Sequence, residues 1–185
     1  WQEYEKRYAE EQGLHVFYPQ DVPNFVPNPN PPKVKDFKDF ILDLMVREGL
    51  EPDRTVVLAH SLAGDGWLRV LEERADIRAC LTWLIGTPRD NPGDFEAIRN
   101  FFPTPNLAHI SEEDRARIKV VGSDNDSVIN ELPHVIGAHL SVPSITIPRA
   151  GHFMPHSSHK RDDELDLGVQ WMEVRRQISN LNLPY

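Results

Sequence analysis

Hydrophobic and polar positions along the chain alternate between a helical period and short, nearly continuous apolar runs. Residues 1–12 carry Trp1, Tyr4 and Tyr8 on one helical face, and Gly13 ends the run. His15-Val16-Phe17-Tyr18 is a short β-rich segment closed by Pro19. Residues 19–32 hold Pro19, Pro23, Pro27, Pro29, Pro31 and Pro32, a density that forbids both helix and central strand and predicts an extended surface loop. Lys33–Glu48 has Val34, Phe37, Ile41, Leu44 and Met45 at helical spacing, with Gly49 where a C-cap is expected. Apolar runs follow at Thr55–Ala59, Ala79–Ile85, Ile118–Val121 and Ser144–Ile147, the last broken by Pro148. Such runs are the mark of strands covered on both faces. Helical patterns lie at 62–74, 132–140 and Glu164–Ile178, the last with Leu165, Leu167, Trp171, Val174 and Ile178 inward. Strands alternating with helices predict an α/β fold: a mostly parallel sheet with helices on both faces. The long gap at 86–117 holds Pro88, Pro92, Pro103, Pro105 and several aromatics, and is expected to cap one edge of the sheet.

Length and charge narrow the function. A chain of 185 residues fits a single domain and buries enough surface to need no metal or disulfide staple. The balance of 20 Lys+Arg against 29 Asp+Glu gives a net charge of −9, with no dense basic run. Nucleic acid and anionic membranes are therefore poor partners, and no apolar stretch approaches the length of a membrane span. The lone cysteine, Cys80, has no internal partner and sits in a strand pattern, where it reads as inert packing. That usage fits a reducing, cytoplasmic compartment.

Ligands of open α/β sheets bind beyond the carboxyl ends of the strands. Three such ends carry reactive residues: His60-Ser61-Leu62-Ala63-Gly64, Gly122-Ser123-Asp124-Asn125-Asp126 and Arg149-Ala150-Gly151-His152-Phe153. A serine hydroxyl needs a base to become a nucleophile, imidazole suits that task at neutral pH, and a carboxylate fixes the imidazole tautomer. Leu62 follows Ser61 at a helix start, where its N–H is expected to face a developing oxyanion. Taken singly, Ser61 reads more readily as a helix N-cap, Asp126 as turn chemistry and His152 as a loop histidine. Their order, and their shared position at strand ends, favours catalysis by Ser61, Asp126 and His152.

The segments Val56–Gly64, Val121–Asp126 and Ala150–Phe153, with the proline-rich loop after Tyr18-Pro19, resemble the small serine hydrolases of the retinoblastoma-binding protein 9 type. These belong to the α/β-hydrolase superfamily, whose chain order is also Ser…Asp…His. The resemblance runs from Trp1 to the C-terminal helical pattern. It implies a three-layer α/β-hydrolase-like sandwich with Ser61 as nucleophile, Asp126 as acid and His152 as base, working without metal or organic cofactor on small acyl substrates. Two departures stand out. The usual Gly-x-Ser-x-Gly frame is here Ala59-His60-Ser61-Leu62-Ala63, with both glycines replaced. The family begins with a strand, and a loop donating a second oxyanion N–H, that this chain is expected to lack.

Other candidates carry less. His152, His156 and His159 have a metal-like spacing, but Pro155 interrupts any helix that would align them. Asp124 competes with Asp126 as the acid, although a turn role suits it better. Asp65 reads as a first-turn helix residue favoured by the macrodipole. Phe95, Phe101 and Phe102 are either cap core or the lining of an acyl pocket. Against the hydrolase stands a second class of function. The altered elbow suits a hydrolase-fold protein of reduced activity that binds a protein partner instead.

Overall fold

The structure is a computed structural model that describes residues 11, 15–17, 19, 33–74, 77, 81–92, 96–153 and 176. Four strands, β1 (Val56–His60), β2 (Leu81–Ile85), β3 (Ile118–Ser123) and β4 (Ser144–Ile147), form one sheet in that order. All three ladders are parallel, pairing His60 with Ile85, Ile85 with Val121 and Ser123 with Ile147. The carboxyl ends of all four strands therefore share one rim. Each strand runs where an apolar stretch predicts it, with edges moved by a residue or two. Residues 15–17 lie outside the ladders of the described sheet. Four α-helices are described: α1 (Val34–Arg47), α2 (Leu62–Glu73), the short α3 (Glu112–Arg115) and α4 (Pro133–Leu140). None of them is long and apolar enough to cross a membrane. The expected helices at 1–12 and 164–178, Cys80, and His156 and His159 fall outside the described residues, apart from residues 11 and 176, which are helical.

Local chemistry sets the helix ends. Asp36 at the third position of α1 accepts from the Lys33 N–H at 2.8 Å. Beyond α1, Gly49 has φ +60°, its N–H donates to the Val46 carbonyl, and the Leu50 N–H reaches the Met45 carbonyl at 2.8 Å. This is the paired closure of a Schellman motif, and the glycine supplies its left-handed residue at no steric cost.

The strand side chains alternate between two cores. Leu81, Trp83 and Ile85 of β2 join Val121, Ile147, Ala150 and Phe153 on one face. Leu84 packs on the other face with Val120, with Leu68 and Leu71 of α2, and with Ile136 and Leu140 of α4. Trp67 fastens α2 to the sheet by donating its indole N–H to the Thr82 hydroxyl at 3.2 Å. Leu68 is fully buried at this contact, and trimming such a side chain to alanine costs about 2–5 kcal/mol.

The described parts of the 86–117 segment, 86–92 and 96–117, are tied along α2 and α4. Arg69 donates to the carbonyls of Phe101 and Pro103, and imidazole N–H groups of His109 and His139 reach the carbonyls of Leu71 and Thr104. Leu107 and Ile110 complete the core beneath. At the centre lies Asp65, which the helix rotation turns inward to full burial instead of leaving it on a solvated first turn. Its carboxyl meets the Thr104 hydroxyl, which also lies 3.0 Å from the Pro88 carbonyl oxygen. A hydroxyl has one proton and a carbonyl can only accept, so both bonds form when the carboxyl itself carries a proton. Burial pushes the Asp65 carboxyl well above its usual range, against the opposing influence of the nearby Arg69.

The pH dependence follows in sign. As pH rises through the ordinary carboxyl range, the unfolded chain ionises Asp65 while the folded chain holds its proton, so stability is lost on the alkaline side. Asp65→Asn keeps a donor for Thr104 and removes the titration. Thermal melts from about pH 4 to about pH 8 should show the wild type losing roughly 3 °C or more relative to this variant. Parallel curves would refute the buried, protonated carboxyl.

Candidate active site

Ser61 sits where β1 turns into α2, with φ 54° and ψ −130°. A non-glycine residue held there stores about 1–3 kcal/mol of backbone strain. Two bonds enforce it: the Ser61 N–H donates to the Ile85 carbonyl at 2.9 Å, and the Gly64 N–H returns to the Ser61 carbonyl at 2.9 Å. The elbow thus stays attached to β2 on one side and starts the helix on the other. Its tightest approach is at Gly64, not at the frame positions Ala59 and Ala63. A Cβ on Gly64 would lie 2.0 Å from Thr87 Oγ1, whereas Ala59 and Ala63 fit within the core packing.

The structure brings the three strand-end residues together. His152 Nε2 lies 3.0 Å from Ser61 Oγ, and His152 Nδ1 lies 2.8 Å from Asp126 Oδ2. The side chains of His152 and Asp126 are each only 4% exposed. Since a carboxylate only accepts, Nδ1 carries the proton, which leaves Nε2 free to accept from the serine hydroxyl. The second oxygen of Asp126 accepts the N–H groups of Val128 and Ile129, each at 2.8 Å, so the carboxylate is oriented and its charge is met. Asp124 is engaged elsewhere, accepting the Arg149 N–H at 2.7 Å. It works between loops instead of within its own turn.

Two neighbours complete the site, and neither stands out in the sequence. Gly86 follows β2 with φ +53°, and a Cβ there would be 3.4 Å from His152 Nδ1 and 3.7 Å from Asp126 Oδ2. It is the floor beneath the imidazole–carboxylate pair, where a side chain meets both strain and crowding. His60 lies partly buried beside His152, with ring centroids 5.0 Å apart. Its Nε2–H donates to the His152 carbonyl at 2.8 Å. Burial, reinforced by the adjacent His152, lowers the His60 pKa to about 4. His60 therefore stays neutral at pH 7 and adds no charge opposing an imidazolium at His152. The signal for both was position alone: each is the last residue of a strand, or the first beyond it, on the rim that carries Ser61.

The remaining expected residues fall as follows. Leu62 is the first residue of α2, so its N–H has no partner within the helix. Phe101 is fully buried edge-on against Phe37, with centroids 5.9 Å apart, and so belongs to the core between α1 and the 86–117 segment, not to a pocket surface. Phe102 is half-buried, and Phe95 lies outside the described residues.

No protein-family model matches the chain, and no curated protein does. Solved structures do. The ydeN gene product of B. subtilis superposes with a TM-score of 0.64 at 17% identity, covering 97% of this chain and 90% of that one. A protein from the thaumarchaeon Nitrososphaera gargenis, described in a study of its carboxylesterases, gives 0.61 at 10% identity, covering 96% and 83%. MGS-MChE2, an α/β-hydrolase enzyme from the metagenome of lagoon sediments at Mar Chica, Morocco, gives 0.54 at 15% identity, covering 95% and 83%. The fold is that of the α/β hydrolases.

The neutral His60 has a measurable consequence. As pH falls from about 6.5 towards about 4, the unfolded chain protonates this imidazole before the folded chain does, and stability is lost on the acid side. His60→Gln keeps an N–H donor without the titration. Across that window its melting temperature should fall by roughly 3 °C less than that of the wild type. An equal fall would show that His60 is solvated and charged in the folded protein.

Proposed function

We propose that this protein is a serine hydrolase of small acyl esters or amides, working through an acyl-enzyme. The observation that carries the proposal is the continuous line from Ser61 Oγ to His152 Nε2 at 3.0 Å and from His152 Nδ1 to Asp126 Oδ2 at 2.8 Å. The α/β-hydrolase fold supports it, as does the resemblance of the three segments to the retinoblastoma-binding protein 9 class of small hydrolases.

Each step has a residue. Ser61 Oγ attacks the acyl carbonyl carbon as His152 Nε2 takes the hydroxyl proton. The carbonyl oxygen gains the charge, and the Leu62 N–H at the start of α2 is the donor poised for it, aided by the helix dipole. The tetrahedral intermediate collapses, the leaving alkoxide or amine takes the proton from the His152 imidazolium, and Ser61 is left acylated. Water then attacks the acyl carbon, passing its proton to His152, and the acid departs as Ser61 Oγ regains a proton. Through both halves Asp126 holds the imidazole tautomer and stabilises its cation, its other oxygen anchored by Val128 and Ile129. These roles need no metal or organic cofactor. The neutral His60 keeps the surroundings of the imidazolium free of a competing positive charge.

The test is chemical labelling together with turnover of p-nitrophenyl acetate. The wild type should react with a fluorophosphonate probe, and Ser61→Ala should lose both labelling and turnover. Asp126→Asn should lower kcat by about 10⁴ through the wrong tautomer. A folded wild type that neither labels nor turns over ester would overturn the hydrolase and leave the alternative of a protein-binding module.

A further inference from the structure

We infer that Ser123 and Asn125 are positioning residues that hold the loop bearing His152 in a single conformation. The inference rests on the proposal that His152 is the catalytic base, and it extends to residues that touch neither Ser61 nor the imidazole.

The loop after β4 is not one the chain adopts by default. Arg149, Gly151 and Phe153 all lie in the left-handed region, with φ 57°, 57° and 56°. Two of the three are not glycine, so local preference opposes this path and tertiary contacts must impose it. Those contacts come from four consecutive residues, the last of β3 and the three that follow it. Ser123 Oγ accepts the Ala150 N–H at 2.8 Å, Asp124 Oδ1 the Arg149 N–H at 2.7 Å, and Asn125 Oδ1 the Gly151 N–H at 2.9 Å. Asp126 then takes His152 itself through Nδ1. Every residue from 149 to 152 is gripped by one side chain from 123 to 126.

The polarity of the inner pair fixes which residue types can serve. The Ser123 hydroxyl gives its one proton to Asn125 Oδ1 at 2.7 Å, while its oxygen accepts from the Ala150 N–H and, at 3.3 Å, from the Asn125 N–H. Position 123 must therefore both donate and accept, and position 125 must accept twice. The amide nitrogen of Asn125 is buried without a hydrogen-bond partner, so the residue is used for its oxygen. A carboxylate would supply that oxygen equally well. It would also place a third negative charge in the run Asp124–Asp126, beside the acceptor that orients His152. Asparagine gives the acceptor without the charge. Among the described residues, the titratable or charged groups facing His152 from the elements around it are Asp126 after β3 and His60 at the end of β1, while Asp124 accepts the Arg149 backbone N–H.

The experiment compares Asn125→Ala, Asn125→Asp and Ser123→Ala with the wild type, scoring p-nitrophenyl acetate turnover against pH and the hydrogen-bonded Nδ1–H proton resonance of His152. Asn125→Ala and Ser123→Ala should each lower kcat about 10- to 100-fold with little change in KM, and should broaden or abolish the resonance. Asn125→Asp should keep the resonance and recover most of kcat, with the acidic limb of the rate profile moved to higher pH by the added carboxylate. Full kcat in folded Asn125→Ala, or equal loss in the alanine and aspartate variants with no movement of the limb, overturns the positioning role. Should Asn125→Ala fail to fold, Ser123→Ala and the pH profile of Asn125→Asp decide the matter. A wild type without turnover overturns the hydrolase instead. The resonance still tests the grip on His152, persisting in Asn125→Asp and absent from Asn125→Ala if the inference holds.

Discussion

The two inner strands of this parallel sheet, β2 and β3, are buried on both faces and leave polar residues few places to stand. β2 is apolar at Leu81, Trp83, Leu84 and Ile85 and buried throughout, and β3 is nearly so. A charged group fully buried mid-strand without a partner costs several kcal/mol, and Lys119, the one charged residue of β2 and β3, stays half-buried. The strand ends are different, because there the ladder stops and backbone N–H groups become available as donors. The pairing of His60 with Ile85, Ile85 with Val121 and Ser123 with Ile147 aligns those ends. Ser61, Gly86, the 123–126 turn and the 149–153 loop are gathered on one rim as a result. The site is where this sheet permits polarity.

Two titratable groups near Ser61 in the sequence are driven towards neutrality. His60 and Asp65 flank Ser61 in the sequence, and burial drives each towards its neutral form, the imidazole downward and the carboxyl upward. Both neutral groups are then spent on hydrogen bonds, His60 to the His152 carbonyl and Asp65 to Thr104. The carboxylate beside the imidazole is Asp126, and it is compensated by two N–H groups from its own turn. A buried negative charge met by fixed dipoles does not have to draw a solvent counter-ion, so its field falls on His152.

Much of this could be read from the sequence, for a physical reason. Buried strands write themselves as apolar runs, and the four at 56–59, 79–85, 118–121 and 145–147 locate the sheet almost to the residue. Once the strands are known, their carboxyl ends point to Ser61, Asp126 and His152 without further information. What stayed hidden depends on contacts between distant segments. Ser123 and Asn125 look like turn residues until Ala150 and Gly151 arrive against them, 27 and 26 positions away. His60 is unremarkable until the His152 carbonyl meets it across 92 positions. Asp65 does lie in the first turn of α2, but the macrodipole does not govern it, because the helix faces that position inward onto Thr104. Phe101 was open between core and pocket, and its ring packing on Phe37 settles it as core.

The alanines at 59 and 63 belong to the same kind of constraint. A glycine is required at an elbow only where another atom occupies the place of its Cβ, and that place depends on how closely the helix approaches the neighbouring strand. Here Thr87, just beyond β2, comes nearest to α2 at Gly64, where a Cβ would overlap its side chain, and two residues further Gly66 makes room for Phe37 in the same way. The close approach has moved along the helix by one residue relative to the Gly-x-Ser-x-Gly frame. Ser61 keeps its strained φ because the forces on it, the bond to Ile85 and the first helical bond from Gly64, act on the backbone and do not depend on the side chains at 59 and 63. A sequence frame reports where one helix touches one strand, and it can shift while the geometry it stands for does not.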